Sequence, residues 1–484
     1  MRVSIYERRD VVGGATVTEE LAPGFRVSTA SYALSLLRPD IYEDLELHRH
    51  GLVAVPKDPQ MFVPSVPGGE GPSFFVWRDM SRTETEIAKL HAKDAESYAS
   101  WCAFWDDAVE VLRPLLDSSD ALGAETYLAD CGRSDLYERV VRGSAADLVE
   151  SFFEHPAVQG AFASQGIIGT WASVRDPGTA WVMAYHAIGG EIYGSSGTWG
   201  FARGGMGAVS GAIAASARES GAAIFRNSPA TEILVEGGRA AGVRLANGLV
   251  VRARFILSGA DPKTTFLRLV GEGALEDAFV DRVASWSTPG CVLKVNIACS
   301  ELPDFVARPG RGPQHHGTIE ISPSIEYLHE AYTDAQTTGH SAHPYMEVFV
   351  PSVLDQSLVD GDGHVVSAFT QYVGPKTFDA SVSRDHATEA VMRTLAAYAP
   401  NMPDAVVAME ALGPAELEDR FGLAGGDIFH GSLLPDQCFD GRFDYRTPLP
   451  GLYLCGSGAR PGGCVMGAAG RNAAGVVIAE LRGG

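Results

Sequence analysis

The sequence has 484 residues, too many for one ordinary core, and is 45% hydrophobic and 20% charged with 55 glycines, a globular composition. A formal charge of −22, with no Lys/Arg run or basic helix face, excludes a nucleic-acid partner, and no apolar run reaches the roughly 18 residues that span a bilayer. Seven cysteines, an odd number with no C-x-x-C spacing, argue against a disulfide framework, a zinc knuckle and a redox dithiol.

The opening MRVSIYERRDVVGGATVTEE is charged and lacks an apolar h-region, so the expected location is cytoplasmic and no metal or targeting signal is expected. Val3, Ile5 and Tyr6 form a short β-rich run that ends on Glu7, followed by Gly13 and Gly14. In a dinucleotide-binding βαβ unit an acidic residue ends the second strand, about 20 residues after a G-x-G-x-x-G loop, and accepts hydrogen bonds from a ribose. No such loop precedes Glu7 here. RPDIYEDLELHRHG then reads as a helix, with Pro39 in its first turn and Gly51 at its end.

From Ser81 the apolar residues Ile87, Leu90, Tyr98, Trp101, Trp105, Ala108 and Leu112 recur mostly at three- and four-residue steps, predicting one long amphipathic helix over 81–116. The helical register continues through DLYERVVRGSAADLVESFFEHPAVQGAFASQGIIGTW, so 76–195 is expected to be mainly helical. Next, ATEILVEGGRAAGVRLANGLVVRARFIL carries two turn pairs, Gly237-Gly238 and Asn247-Gly248, and predicts a three-run β-meander leading into the loop SGADP. Residues 286–415 mix strands (CVLKVNIA, PYMEVFV, HVVSAFTQYV) with a helix over 385–398.

Two glycine-rich segments have the look of phosphate cradles. GFARGGMGAVSGAIAASARESGAAIF spaces Gly205, Gly207 and Gly211 as G-x-G-x-x-x-G, a weak match to a nicotinamide site that tight packing of a helix on a sheet accounts for better. PLPGLYLCGSGARPGGCVMGAAGRNAAGVVIAEL places a β run, a glycine-rich loop and a small-residue helix over 465–481 in succession. A helix start beside a strand end offers free N–H groups to a pyrophosphate or an electron-rich ring, although close helix-on-sheet packing has the same pattern.

The motifs ERRDVVGGATVTEE, AYHAIGGE with GTWGFARGGMGAVSGAIA, FILSGADPKTT, IFHGSLLPDQ and GLYLCGSGARPGGCVMGAAGRNAA stand in the order found in FAD-dependent oxidoreductases of the phytoene desaturase type. The resemblance covers essentially the whole chain and is closest to the branch called pyridine nucleotide-disulfide oxidoreductase domain-containing protein 2. It implies an α/β fold: a discontinuous Rossmann-like FAD-binding domain from 1–75, 196–285 and 416–484, interleaved with an α+β substrate domain from 76–195 and 286–415. Carried over by motif, Glu7 would bind the adenosine ribose, Gly13 and Gly14 would pass close to FAD, and Ile233 would lie near the adenine. Gly456, Ser457 and the helix start at Gly467 would face the ribityl chain and flavin. Ser457 stands where related flavoproteins often carry an acid, and Cys464 stands where the motif usually has glycine. The family pattern also begins with a strand, a G-x-G-x-x-G loop and a helix ahead of the Glu7 strand, so the expectation is a chain shortened by about 30 residues, one βαβ unit, at its start.

The resemblance implies hydride transfer from a substrate C–H to flavin N5, with dehydrogenation, desaturation or isomerisation of an apolar small molecule, suited to a Trp- and Phe-containing helical domain. An amine-oxidase-like enzyme and a flavin-less regulatory or interaction protein are the alternatives. Peripheral membrane contact, the oligomeric state and the electron acceptor are left open. His186, Lys294 and Glu347 are the candidate acid/base groups. Lys294 alternates with Val292 and Asn296 on one strand face, a placement that also fits a solvated lysine, and a lone His186 also fits a structural role.

Overall fold

In the computed structural model, which describes residues 2–69, 71–118, 120–375 and 380–483, the chain builds one large sheet and several small ones. The large sheet has seven strands in the order Val406–Leu412, Val292–Cys299, His364–Val373, His340–Phe349, Thr318–Ile321, Met61–Val63 and Phe74–Val76. All neighbours are antiparallel except Thr318–Ile321 with Met61–Val63. Val292–Cys299 is buried along its whole length. A near-continuous β-branched and aliphatic run is what a strand covered on both faces requires. Helices Ile325–Thr338 and Ala380–Tyr398 pack on this sheet.

Two short parallel pairs form the Rossmann-like part. Ser4–Tyr6 pairs with Ala223–Phe225, and Ile256–Ser258 pairs with Leu452–Leu454. Among the described residues the two pairs are not hydrogen-bonded to each other, and one cavity is lined by residues of both. Val3, Ile5 and Leu257 are each about two-fifths exposed, an unusual state for apolar strand residues in a parallel sheet. The expected meander is present as Ala230–Glu236, Arg239–Leu245 and Val250–Arg252, with positive φ at Gly237, Gly238 and Gly248 supplying its turns.

The long helix expected over 81–116 is broken. Helices Met80–Ala88 and Ala92–Leu112 are separated at 89–91, where His91 is extended. The cause is Asp94, which is fully buried: its carboxylate accepts the backbone N–H groups of Glu154 and His155, each at 2.8 Å, and lies 2.9 Å from His91 Nδ1. A buried carboxylate must collect donors, and here they come from a distant loop. The helix expected to end at Gly51 is shorter, Pro39–Asp44, because Glu46 turns into positive φ and sends Leu47 and Leu52 into the core. The region 124–187 is helical, as a series of short helices. Among the described residues no helix is long and apolar enough to cross a membrane.

Candidate functional site

A cavity of about 1930 Å3 runs from the Rossmann-like strands into the space between the helical region and the large sheet. It exceeds the few hundred to about 1,000 Å3 common for small-molecule sites. Glu7, Gly13, Gly14, Ile233, Gly456 and Ser457 all line it. Glu7 follows the strand Ser4–Tyr6; its backbone N–H donates to Phe225 and its carboxylate accepts from Arg9 N at 2.8 Å.

Gly13 has φ of 124°, and a Cβ there would come within 2.5 Å of both Ser210 Oγ and the Thr16 carbonyl. Gly456 lies so close to Gly259 that a Cβ would run into the Gly259 carbonyl. The loops that follow Ile256–Ser258 and Leu452–Leu454 therefore meet backbone to backbone. The buried Arg442 fixes the second loop: its guanidinium donates to the Ser457 carbonyl at 2.7 Å and to the Phe429 carbonyl at 2.6 Å. Farther along, Cys464 and Val465 line the cavity and both hold positive φ, a conformation that costs a non-glycine residue about 1–3 kcal/mol.

Gly467 is placed differently from the other expected contacts. It is exposed and outside the cavity lining, and at φ of 77° its Cβ direction meets Ile41 Cδ1 at 3.0 Å. The terminal helix begins only at Ala468. Gly207 is also outside the lining; its N–H donates to Thr18 Oγ1 at 2.9 Å, and a Cβ there would press on Thr18 N at 2.6 Å. The first glycine-rich segment thus packs a helix against the strand that carries Thr18.

Part of the cavity wall is apolar and aromatic, with Trp101, Trp105, Phe162, Ile168, Met183 and Phe369 in it. The three expected acid/base residues His186, Lys294 and Glu347 all line it. Lys294 is not solvated: it is 2% exposed, with Nζ donating to Asn296 Oδ1 and, at 2.7 Å, to Ser367 Oγ. Burial pushes its amine down to about 7 against a weaker opposing pull from Glu410. His186 is 2% exposed, its Nδ1 3.3 Å from the Gln165 carbonyl and its Nε2 3.8 Å from Cys464 Sγ. Burial pushes the imidazole down to about 4 and the Cys464 thiol well up, so at neutral pH this contact is between two uncharged groups. It is not an activated thiolate pair.

Glu347 accepts from Tyr32 Oη on one oxygen and from Gln165 Nε2 at 3.4 Å on the other. Burial and the Glu347 charge raise the Tyr32 phenol well above its ordinary value. Sequence reasoning missed Tyr32, Lys57 and Gln165, which share this wall. Lys57 is 2% exposed, donates to Thr318 Oγ1 at 2.7 Å, and is pushed down to about 8 by burial, against the pull of Glu347 and Glu320. The available signal was a lone lysine inside the largely apolar stretch AVPKDPQMFV.

No family model matches the chain. It is 38% identical over 524 residues to pyridine nucleotide-disulfide oxidoreductase domain-containing protein 2 of Rattus norvegicus, across all of this chain and 90% of that protein. It is 27% identical over 315 residues to the hydroxyneurosporene desaturase of Cereibacter sphaeroides, across 61% of this chain and 59% of that one. In three dimensions it is similar to an oxidoreductase from Methanosarcina mazei, with a TM-score of 0.63 and 17% identity, across 99% of this chain and 94% of the other. On the strength of the full-length relative, the chain is an oxidoreductase and belongs to the pyridine nucleotide-disulfide oxidoreductase domain-containing protein 2 family.

Proposed function

We propose that the chain is a FAD-dependent oxidoreductase that dehydrogenates, desaturates or isomerises an apolar small molecule. The observation that carries this reading is the single cavity joining Glu7 and the Gly13, Gly14 and Gly456 backbone to an aromatic chamber. The residues present fit the cofactor. Gly13 and Gly456 line the cavity and are packed so closely on Ser210, Thr16 and Gly259 that only glycine backbone fits there, as along a dinucleotide's path, and an acidic residue just past a parallel strand suits a ribose. Glu7, Gly13, Gly14 and Ile233 would hold the adenosine half, and Gly456 and Ser457 the ribityl half; Gly467 is left out of the set by its position. The bound cofactor supplies a two-electron hydride acceptor.

The chain's own residues do the rest. Trp101, Trp105 and Phe162 bury an apolar substrate and exclude water, which strengthens every polar contact at the chamber wall. His186 is neutral at pH 7 and serves as a hydrogen-bonding wall rather than a strong base. Lys294 and Glu347 present polar groups at the chamber wall.

The test is anaerobic titration of the FAD-loaded protein with apolar alkene substrates and, in parallel, with amines. Bleaching of the flavin by the first set and not the second is expected. Bleaching by amines alone would replace the proposal with an amine-oxidase-like one, and a chain that binds no flavin after reconstitution would overturn it.

A further inference from the structure

Two carboxylates face each other in the large sheet. Glu320 and Glu347 stand directly opposite in antiparallel register, which sets their Cβ atoms about 4.5–5.5 Å apart. Both are buried, at 0% and 8% exposure. Their surroundings differ. Glu347 lines the cavity and receives Tyr32 Oη and Gln165 Nε2. Glu320 lies outside the lining: Oε1 accepts from Ser164 Oγ at 2.6 Å and from Ser322 Oγ at 3.5 Å, and buried Oε2 has no hydrogen-bond partner among the described residues.

The other titratable groups facing the pair come from the segments around Tyr32 and Lys57 and from the strand of Glu347 itself. They are Tyr32, Lys57 with Nζ on Thr318 Oγ1, and Tyr345, while Cys464 acts on Tyr32. Lys57 is the one cation acting on both carboxylates among these groups. Two ionised carboxylates this close and this dry repel each other, so one of them keeps a proton. Both carboxylates have donors, but Glu347 has both oxygens engaged, whereas Glu320 is buried deeper and its Oε2 has no hydrogen-bond partner among the described residues. Burial, then the Glu347 charge, pushes the Glu320 carboxyl well above the ordinary carboxylate range.

We propose that the two carboxylates share one proton, resident on Glu320, and that Glu347 is thereby kept ionised at the chamber wall as the proton acceptor for the substrate. Glu320 is a positioning residue. The acceptor role rests on the oxidoreductase reading above; the location of the proton does not. In a desaturation, one substrate carbon gives up hydrogen with the C–H electron pair to the flavin, the two-electron oxidant. The neighbouring carbon loses a proton to a Glu347 oxygen, and the electron pair of that C–H bond becomes the second bond of the new C=C.

Infrared spectroscopy of the protein without cofactor at pH 8 locates the proton. Asp427, pushed up to about 6, is ionised there and does not contribute. A carboxylic-acid C=O band is expected in the wild type, absent in Glu320→Gln and retained in Glu347→Gln. In the FAD-loaded protein, Glu347→Gln should slow single-turnover reduction by substrate about 10²–10⁴-fold, with chemical reduction of the flavin unchanged. Glu320→Gln, an isostere of the neutral acid, should stay within about tenfold of wild type.

No acid band in the wild type, or one lost in Glu347→Gln and kept in Glu320→Gln, overturns the proposal, as does unimpaired substrate reduction in Glu347→Gln. If Glu320→Gln fails to fold, Glu347→Gln decides alone: burial, the larger cause, is unchanged in it, so the band stays at pH 8, although losing the Glu347 charge lets it titrate away at a lower pH than in the wild type. Failure to bind FAD would sink the function above and leave the infrared result readable.

Discussion

Replacing Lys294 by methionine keeps most of the side-chain volume and removes a buried amine. In the folded protein that amine sits at about 7, against 10.5 for the free side chain, because burial disfavours its charge. The unfolded chain keeps Lys294 charged up to about pH 10. Between pH 7 and 9 the unfolded state therefore binds more protons than the folded one, and stability rises with pH. The burden on folding is greatest below pH 7 and vanishes above about pH 10.5. Integrated from pH 7 to 9 at about 1.4 kcal/mol per pH unit, Lys294 contributes a rise of about 2 kcal/mol. Lys57, at about 8, adds about 1 kcal/mol of the same sign over the same interval. Urea unfolding of wild type and Lys294→Met at pH 7, 8 and 9 checks this. Loss of the hydrogen bonds to Asn296 and Ser367 offsets the variant's stability by a similar amount at every pH, so the informative quantity is the slope. The variant should lose about 2 kcal/mol of the pH-dependent rise and keep the Lys57 part. An unchanged slope would refute a folded-state Lys294 that sheds its proton near neutrality.

Two glycines separate the cavity from its surroundings. Gly13→Ala should destabilise the protein by roughly 2–5 kcal/mol, from a left-handed backbone and overlap with Ser210 Oγ and the Thr16 carbonyl. Adding Ser210→Ala should recover only part of this in urea unfolding, since the carbonyl remains; full recovery would show that the carbonyl contact is not limiting. Gly467→Asp should cost about 1–3 kcal/mol through positive φ and contact with Ile41, while FAD affinity by equilibrium titration stays within about threefold of wild type. A hundredfold loss of affinity would return Gly467 to the cofactor site.

The meander was legible because its turns are local: Gly237-Gly238 and Asn247-Gly248 specify the backbone they adopt whatever surrounds them. The cavity-lining glycines and Glu7 were legible from a motif order in which each loop follows its own strand. The break between Met80–Ala88 and Ala92–Leu112 was not legible. Its cause is the bond between Asp94 and backbone some 60 residues away, and the apolar spacing through 81–116 carries no trace of that. Alternation put Lys294 on a strand face, but only the packed layers of the seven-stranded sheet decided that this face is dry. The start of the terminal helix, three residues later than the small-residue run suggests, follows from the strained path of Cys464 and Val465 past the cavity. The opposition of Glu320 and Glu347 is further still from the sequence, since either residue alone reads as an acid in an apolar strand. Local conformational preference is written residue by residue, whereas cross-strand register and burial depend on which distant segments come to lie alongside, and the proton on Glu320 follows from the second kind of information.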